Sequence, residues 1–241
     1  PYEEIHLESG QALKEEHLRD EYCNKIMRFG NNGLNEVIVA SPLLEAYIRE
    51  KYPKYKITSS TCKRLTDPEL VRQELEKDYH VVVLDYDLNN QFDILEQLPH
   101  KEKCELLINS CCVPKCPFRS EEYRLVGLQQ IAYNEHMKKH PDKPFNMSDY
   151  STDTVKKNIK CPSNGNNIFD SKKRSHHISP DAIREKYLPM GFQQFKIEGR
   201  TATKLFLLEN YMYYFIKPEC RDEARFLFLH NLERNGIIQF G

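Results

Sequence analysis

The sequence predicts an α/β fold, a TIM-like (β/α) barrel that carries a polar insertion, and three observations predict it. Apolar runs rich in β-branched residues recur, with the four strongest beginning 19 to 25 residues apart; helical patterns lie between them, and polar residues follow each run. Continuous apolar runs are typical of buried parallel strands, and an intervening helix returns the chain to the start of the next strand. The pattern therefore indicates successive right-handed βαβ units.

The predicted strands are the apolar runs themselves. The first is weaker than the others, and the next four are the strongest. They span residues 4–7, 36–40 (EVIVA), 55–59 (YKITS), 80–84 (HVVVL), 104–108 (CELLI) and 195–197.

The segments between the strands carry apolar residues at helical spacing. Asp67 and Asn89 stand where N-caps are expected, because a short polar side chain can accept hydrogen bonds from the free N–H groups of a first helical turn. The predicted helices span residues 14–29, 42–51, 68–77, 90–98, 120–139, 180–187, 202–216 and 218–235.

A polar stretch rich in Asn, Ser, Asp and Lys interrupts this alternation, and long loops of this kind are functional or mobile. We therefore predict an N-terminal part of the barrel at 1–140, a polar insertion at 141–178 and the C-terminal part of the same barrel at 179–241. The chain starts at Pro1, not at Met, and few strands precede the 36–40 run. A barrel that is incomplete at its N-terminal side therefore stays an open alternative.

Polar residues at the ends of the predicted strands favour a barrel over an open doubly wound sheet. In a barrel the carboxyl ends of all strands meet at one rim, where barrel enzymes carry their chemistry. The alternative, that each is an ordinary solvated loop residue, stays open for any one of them. These rim residues are Ser41, Ser60, Thr61, Asp85, Asp87, Asn109, Glu198 and Arg200.

Composition excludes several classes of protein. The 35 Lys and Arg residues balance 36 Asp and Glu residues, so the strong positive field of a general nucleic-acid binder is missing. No apolar run approaches the roughly 20 residues of a membrane span, and the first residues do not resemble a signal peptide. Eight cysteines without a secretory segment indicate a reducing, cytoplasmic location with thiols that are free or bound to metal.

The densest motif is NSCCVPKCPFR at 109–119, directly after a predicted strand. Cys112 and Cys116 can turn their sulfurs toward one centre, Cys111 offers a third thiol, and Cys161 in the insertion precedes a proline as Cys116 does. Thiolates suit zinc or an iron–sulfur cluster, which usually takes four ligands. If Cys112, Cys116 and Cys161 converge on zinc, their sulfurs lie within about 4 Å of one another. The alternative is a set of reduced structural thiols.

Two further motifs carry charge. In FKIEGR, at 195–200, Gly199 permits a sharp turn out of a strand. Glu198 and Arg200 either bind a polar substrate or form a structural ion pair with each other. His176 and His177 end a short basic run, and adjacent histidines point in different directions, so a solvated loop is predicted there.

Other motifs are missing from the sequence. It has no phosphate-binding glycine loop, G-x-S-x-G, H-E-x-x-H or G-x-G-x-x-G after a first strand. This argues against P-loop ATPases, α/β-hydrolases, zincins and Rossmann oxidoreductases.

The stretches GLNEVIVASPLLEAYIREKYPKYKITSST, SCCVPKCPFRSEEY and GFQQFKIEGRTATKLFLLENYMYYFIKPECRDEARF resemble the collagenase-like, or unassigned-type, peptidase family, most specifically at KIEGR. The resemblance covers about residues 15–226. It implies a partial or complete TIM barrel and, as in several members that hydroxylate RNA bases or ubiquinone precursors, a four-iron cluster. It implies that Cys112, Cys116 and Cys161 are ligands and that Lys196, Glu198 and Arg200 belong to the site at the barrel mouth.

Three functional hypotheses follow. The first is an iron–sulfur or other metal-dependent enzyme that acts on a small-molecule, peptide or RNA substrate at the barrel mouth. Its candidate catalytic residues are Asn109, Lys196, Glu198 and Arg200. The second is a peptidase proper, and the third is a non-catalytic binding module with a structural zinc site.

Overall fold

The computed structural model describes residues 18–146, 171–199 and 204–239. Its helices are α1 Glu21–Gly30, α2 Pro42–Lys51, α3 Pro68–Leu75, α4 Phe92–Leu95, α5 Arg119–Lys139, α6 Pro180–Ala182, α7 Lys204–Phe215 and α8 Arg221–Arg234. Its strands are β1 Glu36–Val39, β2 Lys56–Ser59, β3 Val81–Val83, β4 Cys104–Leu107 and β5 Gln194–Lys196. Short 3₁₀ turns occur at Thr61–Lys63, Tyr86–Leu88, Lys101–Lys103 and Pro218–Cys220, and α6 continues as a π-helical turn, Ile183–Tyr187.

All five strands are parallel and lie side by side in the order in which they occur along the chain. The predicted parallel α/β architecture is therefore confirmed. A doubly wound sheet reverses its strand order at a switch point, and these five strands have no such reversal. Among the described residues β1 and β5 do not pair with each other, so closure into a barrel stays a prediction. The division of the chain into 1–140, 141–178 and 179–241 also stays a prediction. The predicted strand at 4–7 lies outside the described residues.

Local sequence explains where several helices begin. Ser41 precedes α2 and its Oγ accepts from the Leu44 N–H at 3.0 Å, while Pro42 supplies a fixed φ at the first helical position. Asp67 caps α3 as predicted, since its Oδ1 accepts from the Glu69 N–H at 2.8 Å. Both helices start where a side-chain acceptor meets the free N–H groups of the first turn.

The prediction that Asn89 caps a helix over 90–98 is wrong. The helix there is only the single turn α4, which follows Gln91. Asn89 is 4% exposed, and its Nδ2 instead donates to the carbonyl oxygens of Leu107 at 2.7 Å and His176 at 2.8 Å. This buried long-range pairing takes the amide that the local pattern assigns to a cap.

The sheet buries apolar side chains on both faces because successive residues of a strand point to opposite sides. The larger cluster lies on the face packed by α2, α3 and the α6 region and includes Val39, Ile57, Val82 and Leu106. The second face carries Val81, Val83 and Leu107, which cluster with Tyr86.

Helix α5 runs from the carboxyl edge of the sheet to the start of α1. Arg119 at its first residue contacts Tyr86, Ile131 lines the same cavity as Ile38 of the second face, and Lys138 lies 2.6 Å from Asp20 Oδ2. No helix in the described part of the chain is both long and apolar enough to cross a membrane.

Candidate functional site

Polar residues gather at the carboxyl edge of the sheet. The residues just beyond the ends of β1 to β4 are buried, each at most 7% exposed. They are Ser41, Ser60, Asp85, Asn109 and Ser110. Ligands of parallel sheets bind outside this edge, and buried polar groups there need partners from protein or ligand.

Two arginines and two aspartates form what we call the Asp85 cluster, consisting of Arg64, Asp85, Asp87 and Arg119. Arg64 holds the left-handed conformation, φ 55°, at the end of a 3₁₀ turn. Its Nη1 lies 2.8 Å from Asp85 Oδ2, and its Nη2 lies 3.4 Å from Asp87 Oδ2. Burial raises the pKa of Asp85, and the charges of Arg119 and Arg64 oppose this rise. Arg64 is therefore the arginine that hydrogen-bonds both aspartates, whereas Arg119 acts on Asp85 through its charge.

Arg119, the first residue of α5, is 5% exposed. Its guanidinium carbon lies 3.8 Å from the centre of the Tyr86 ring, and its Nε donates to the Tyr123 hydroxyl at 2.6 Å. Its Nη1 lies 3.9 Å from Asp85 Oδ1, too far for a hydrogen bond, and has no hydrogen-bond partner among the described residues. The side chain is therefore held in place with one donor unused.

The prediction that His176 lies in a solvated loop is wrong, because His176 is 2% exposed and its ring centre lies 4.6 Å from that of Tyr86. The hydrogen bond from Asn89 to the His176 carbonyl holds this turn against β4. His176 Nε2 lies 3.1 Å from the Ser110 carbonyl oxygen, which can only accept, so Nε2 carries the proton. Nδ1 has no partner within the described ranges, and burial lowers the pKa of His176. The neutral ring thus keeps an unused acceptor.

Asn109 and Glu198, two of the predicted site residues, lie together. The Asn109 Nδ2 donates to the Glu198 carbonyl oxygen at 3.0 Å, and its Oδ1 accepts from the Glu198 N–H at 2.7 Å. Nδ2 also donates to Asn210 Oδ1 of α7 at 3.0 Å. Burial, and next the Glu198 carboxylate, raise the pKa of the Cys111 thiol to about 11, so this carboxylate lies near the cysteine loop. Asn109 is fully engaged and positions Glu198, which is exposed.

The other two predicted catalytic residues lie apart from that pair. Lys196 ends β5, and its Nζ lies 2.7 Å from Glu105 Oε1 on the neighbouring strand β4. This partly exposed ion pair lies within the sheet and not beyond its edge. Arg200 lies outside the described residues.

The cysteine loop joins β4 to α5 and carries Cys111, Cys112 and Cys116. Burial raises the pKa of Cys112, a hydrogen bond from the Tyr86 hydroxyl opposes the rise, and the charge of Cys116 adds to it. Cys161 lies outside the described residues.

The described thiols do not form a metal site by themselves. Within 18–146, 171–199 and 204–239, no group of three or more His, Cys, Asp or Glu side chains is arranged to hold a metal ion. A structural zinc or an iron–sulfur cluster takes four ligands. The prediction that Cys161 joins Cys112 and Cys116 thus stays a prediction.

Sequence reasoning missed Arg64, Tyr86 and Arg119 as members of this site. The position of Arg119, directly after the cysteine loop at the start of a long helix, was a usable signal. Arg64 has no local signal, because only the packing of β2 against β3 brings it to Asp85.

The fold and this edge define a class: a parallel α/β protein with a polar cluster at the carboxyl ends of its strands. The chain is similar to a protein of Methanocaldococcus jannaschii described as an uncharacterized protease, with 26% identity over 105 residues. The matched region is 42% of this chain and 31% of that protein, so the chain spans less than a third of the relative it matches. No family model matches the chain. No solved structure matches it either.

Proposed function

We propose that this chain is a hydrolase of the peptidase type, related to the collagenase-like peptidases, and that it binds its substrate at the carboxyl edge of the sheet. Two findings support the proposal: the similarity to a protein described as a protease, and the polar cluster at the edge where parallel sheets bind ligands. The whole relative is much longer than the matched region, so the proposal concerns this segment alone.

Glu198 is the residue we propose to act on the reacting group. The observation that carries this role is the pair of hydrogen bonds from Asn109, which fix the Glu198 backbone while its side chain stays exposed beside the cysteine loop. A positioned carboxylate can serve as a general base toward water. Arg200, two residues further on, is proposed to bind the same substrate.

The test is Glu198→Gln, assayed with a library of fluorogenic peptides on the purified chain. General acid–base catalysis typically contributes about 10²- to 10⁴-fold, so peptide hydrolysis should fall by at least about 100-fold. The thermal midpoint should stay within about 2 °C, since the side chain is exposed. Glu50→Gln is the matched control, because Glu50 is 70% exposed and its ion pair within the described ranges is with the neighbouring Lys51.

Two results would overturn the role of Glu198. One is full activity in Glu198→Gln, and the other is a large drop in melting temperature, which assigns the carboxylate to structure. Absence of any peptide hydrolysis by the wild-type chain overturns the peptidase proposal itself.

A second candidate, a cysteine-bound metal or iron–sulfur enzyme, is favoured by the three free thiols of Cys111, Cys112 and Cys116 in one loop beyond the carboxyl end of β4. We propose Cys161 as a further ligand. Anaerobic purification followed by metal analysis tests this: an iron–sulfur protein is brown, a zinc protein is colourless. Cys116→Ser should lower the bound metal severalfold, whereas Cys220→Ser, at an exposed cysteine, should not. Equal metal content in both variants contradicts the candidate.

A further inference from the structure

The unused donor of Arg119 is the most informative feature of the candidate site. Arg119 is 5% exposed, yet its Nη1 has no hydrogen-bond partner in the part of the chain that the structure describes. An unpaired buried donor is unfavourable, and buried donors of native proteins nearly always have partners. A ligand acceptor at this position would supply the missing bond.

The nearby carboxylates do not supply it, because Asp85 Oδ1 lies 3.9 Å from Nη1, beyond hydrogen-bond distance. Asp85 Oδ2 accepts from Arg64 Nη1 at 2.8 Å, and Asp85 Oδ1 accepts from the Asp87 N–H at 2.9 Å. Asp87 Oδ1 accepts from the Lys115 N–H at 2.7 Å. Arg64 and two backbone amides thus fix the two carboxylates at positions from which neither hydrogen-bonds Nη1.

The guanidinium is also fixed in orientation. The Tyr86 ring supports its face at 3.8 Å, and the Tyr123 hydroxyl accepts from Nε at 2.6 Å. A planar guanidinium held in this way loses little freedom when it binds a carboxylate or phosphate oxygen. The arrangement is that of a preformed anion-binding group.

The start of α5 adds positive potential at the same place. Arg119 is the first residue of this 21-residue helix, whose N-cap residue, Phe118, makes no side-chain capping bond. Helix N-termini favour anions, and here Glu121 and Glu122 in the first turn offset part of that potential. The helix end and the buried Arg119 nitrogen are separate observations that point to the same kind of ligand.

We propose that Arg119 is the substrate anchor of this site and binds an anionic oxygen group, a carboxylate or a phosphate. The inference rests on the proposed function in placing the substrate at the carboxyl edge, and it adds the chemical class that the edge recognises. For a peptide substrate the group is a carboxylate, such as the free C-terminus.

Binding measured without catalysis tests the proposal. Isothermal titration calorimetry on the full chain uses three probes: acetyl-dialanine with a free carboxylate, the same peptide as its neutral amide, and inorganic phosphate. The wild-type chain should bind at least one anionic probe and bind the amide at least about tenfold more weakly, since charge-assisted hydrogen bonds are lost.

Arg119→Gln should weaken binding of the anionic probe at least about tenfold. Arg225→Gln is the matched control, because Arg225 lies on α8 and pairs with Glu209 of α7. Tyr123→Phe, which removes only the hydroxyl that orients Nε, should give a smaller loss. This second variant keeps the test valid if Arg119→Gln does not fold.

The outcomes separate cleanly. Preference for the carboxylate probe identifies a peptide-like acid, and preference for phosphate identifies a phosphate ester; both support the anchor. No binding of either anion, or equal binding in wild type and variants, overturns it. Arg119-dependent binding without peptide hydrolysis would defeat the peptidase proposal and leave the anchor intact. Peptide hydrolysis by a chain that shows no preference for a free carboxylate or phosphate would support the peptidase proposal and overturn the anchor.

Discussion

Two buried charge clusters lie at neighbouring positions of this sheet. They differ in whether each buried charged group has a hydrogen-bond partner. In the Glu74 cluster, Glu74 of α3 is 4% exposed and its carboxylate accepts from Ser59 at 2.5 Å, Lys77 at 2.6 Å and Lys63 at 2.7 Å. In the Asp85 cluster both carboxylates also accept hydrogen bonds, but Arg119 Nη1 has no hydrogen-bond partner among the described residues.

The difference teaches how to separate structural charges from functional ones. A buried carboxylate whose oxygens are all engaged stabilises the native state and offers nothing to a ligand. A buried, oriented donor without a partner costs free energy in the unliganded protein, and that cost is recovered only by a ligand. Removing Glu74 should therefore damage stability, whereas removing Arg119 should damage binding.

The largest expected effect is that of Glu74→Ala. Loss of this carboxylate leaves Lys63, whose side chain is only 10% exposed, without its closest charge partner. Breaking a buried pair in this way costs roughly 3 to 5 kcal/mol of unfolding free energy, measured by urea titration. Glu50→Ala, at an exposed pair, should cost less than about 1 kcal/mol. A cost below about 1 kcal/mol for Glu74→Ala as well would show that the Glu74 cluster is not structural.

The second expected effect is a dependence on pH. Burial alone would raise the pKa of Glu74, but hydrogen bonds from Lys63, Lys77 and Ser59 lower it from 4.5 to about 2. Because the folded pKa lies below the unfolded one, the contribution is complete above pH 4.5 and is lost as the pH falls toward 2.

The lowering of the Glu74 pKa from 4.5 to about 2 corresponds to about 3 kcal/mol of unfolding free energy, at 1.36 kcal/mol per pKa unit. The gap in unfolding free energy between wild type and Glu74→Gln should therefore shrink steadily as the pH falls through that range. A gap that stays constant would refute the lowered pKa.

The smallest expected effect is that of Arg119→Gln on stability. Removal of an unpaired buried donor offsets the lost contacts with Tyr86, Tyr123 and Asp85, so the unfolding free energy should change by less than about 1 kcal/mol. Arg64→Gln provides the contrast, because Asp85, whose side chain is 0% exposed, then loses the arginine that hydrogen-bonds it at 2.8 Å. Its cost should approach about 3 kcal/mol. If thermal or urea unfolding ranks the two variants in the opposite order, Arg119 is the structural arginine of the pair.

Much of the fold follows from local pattern. The four strongest apolar runs contain β1 to β4, and α2 spans the predicted residues 42–51. These elements depend on side-chain periodicity and on caps such as Ser41 and Asp67, which are encoded by neighbouring residues. The single turn α4 is shorter than predicted because the amide of Asn89 is used in tertiary contacts.

The candidate site follows from the sequence only in part. The sequence predicts Asn109 and Glu198 as site residues because both directly follow predicted strands, and the parallel register brings these strand ends together. Their role stays a prediction. The burial of His176 was missed, since a basic run within a polar insertion is locally indistinguishable from a solvated loop. Its burial depends on Asn89, 87 residues away in the sequence.

The sequence by itself determined the parallel α/β architecture, the chain positions of its strands, and the concentration of polar residues at one edge of the sheet. These features come from interactions between residues near one another in the chain. Only the tertiary structure decided which polar residues are saturated and which retain an unused group. That outcome depends on the distances between Arg64, Asp85 and Arg119, which lie on separate elements and which no local pattern specifies.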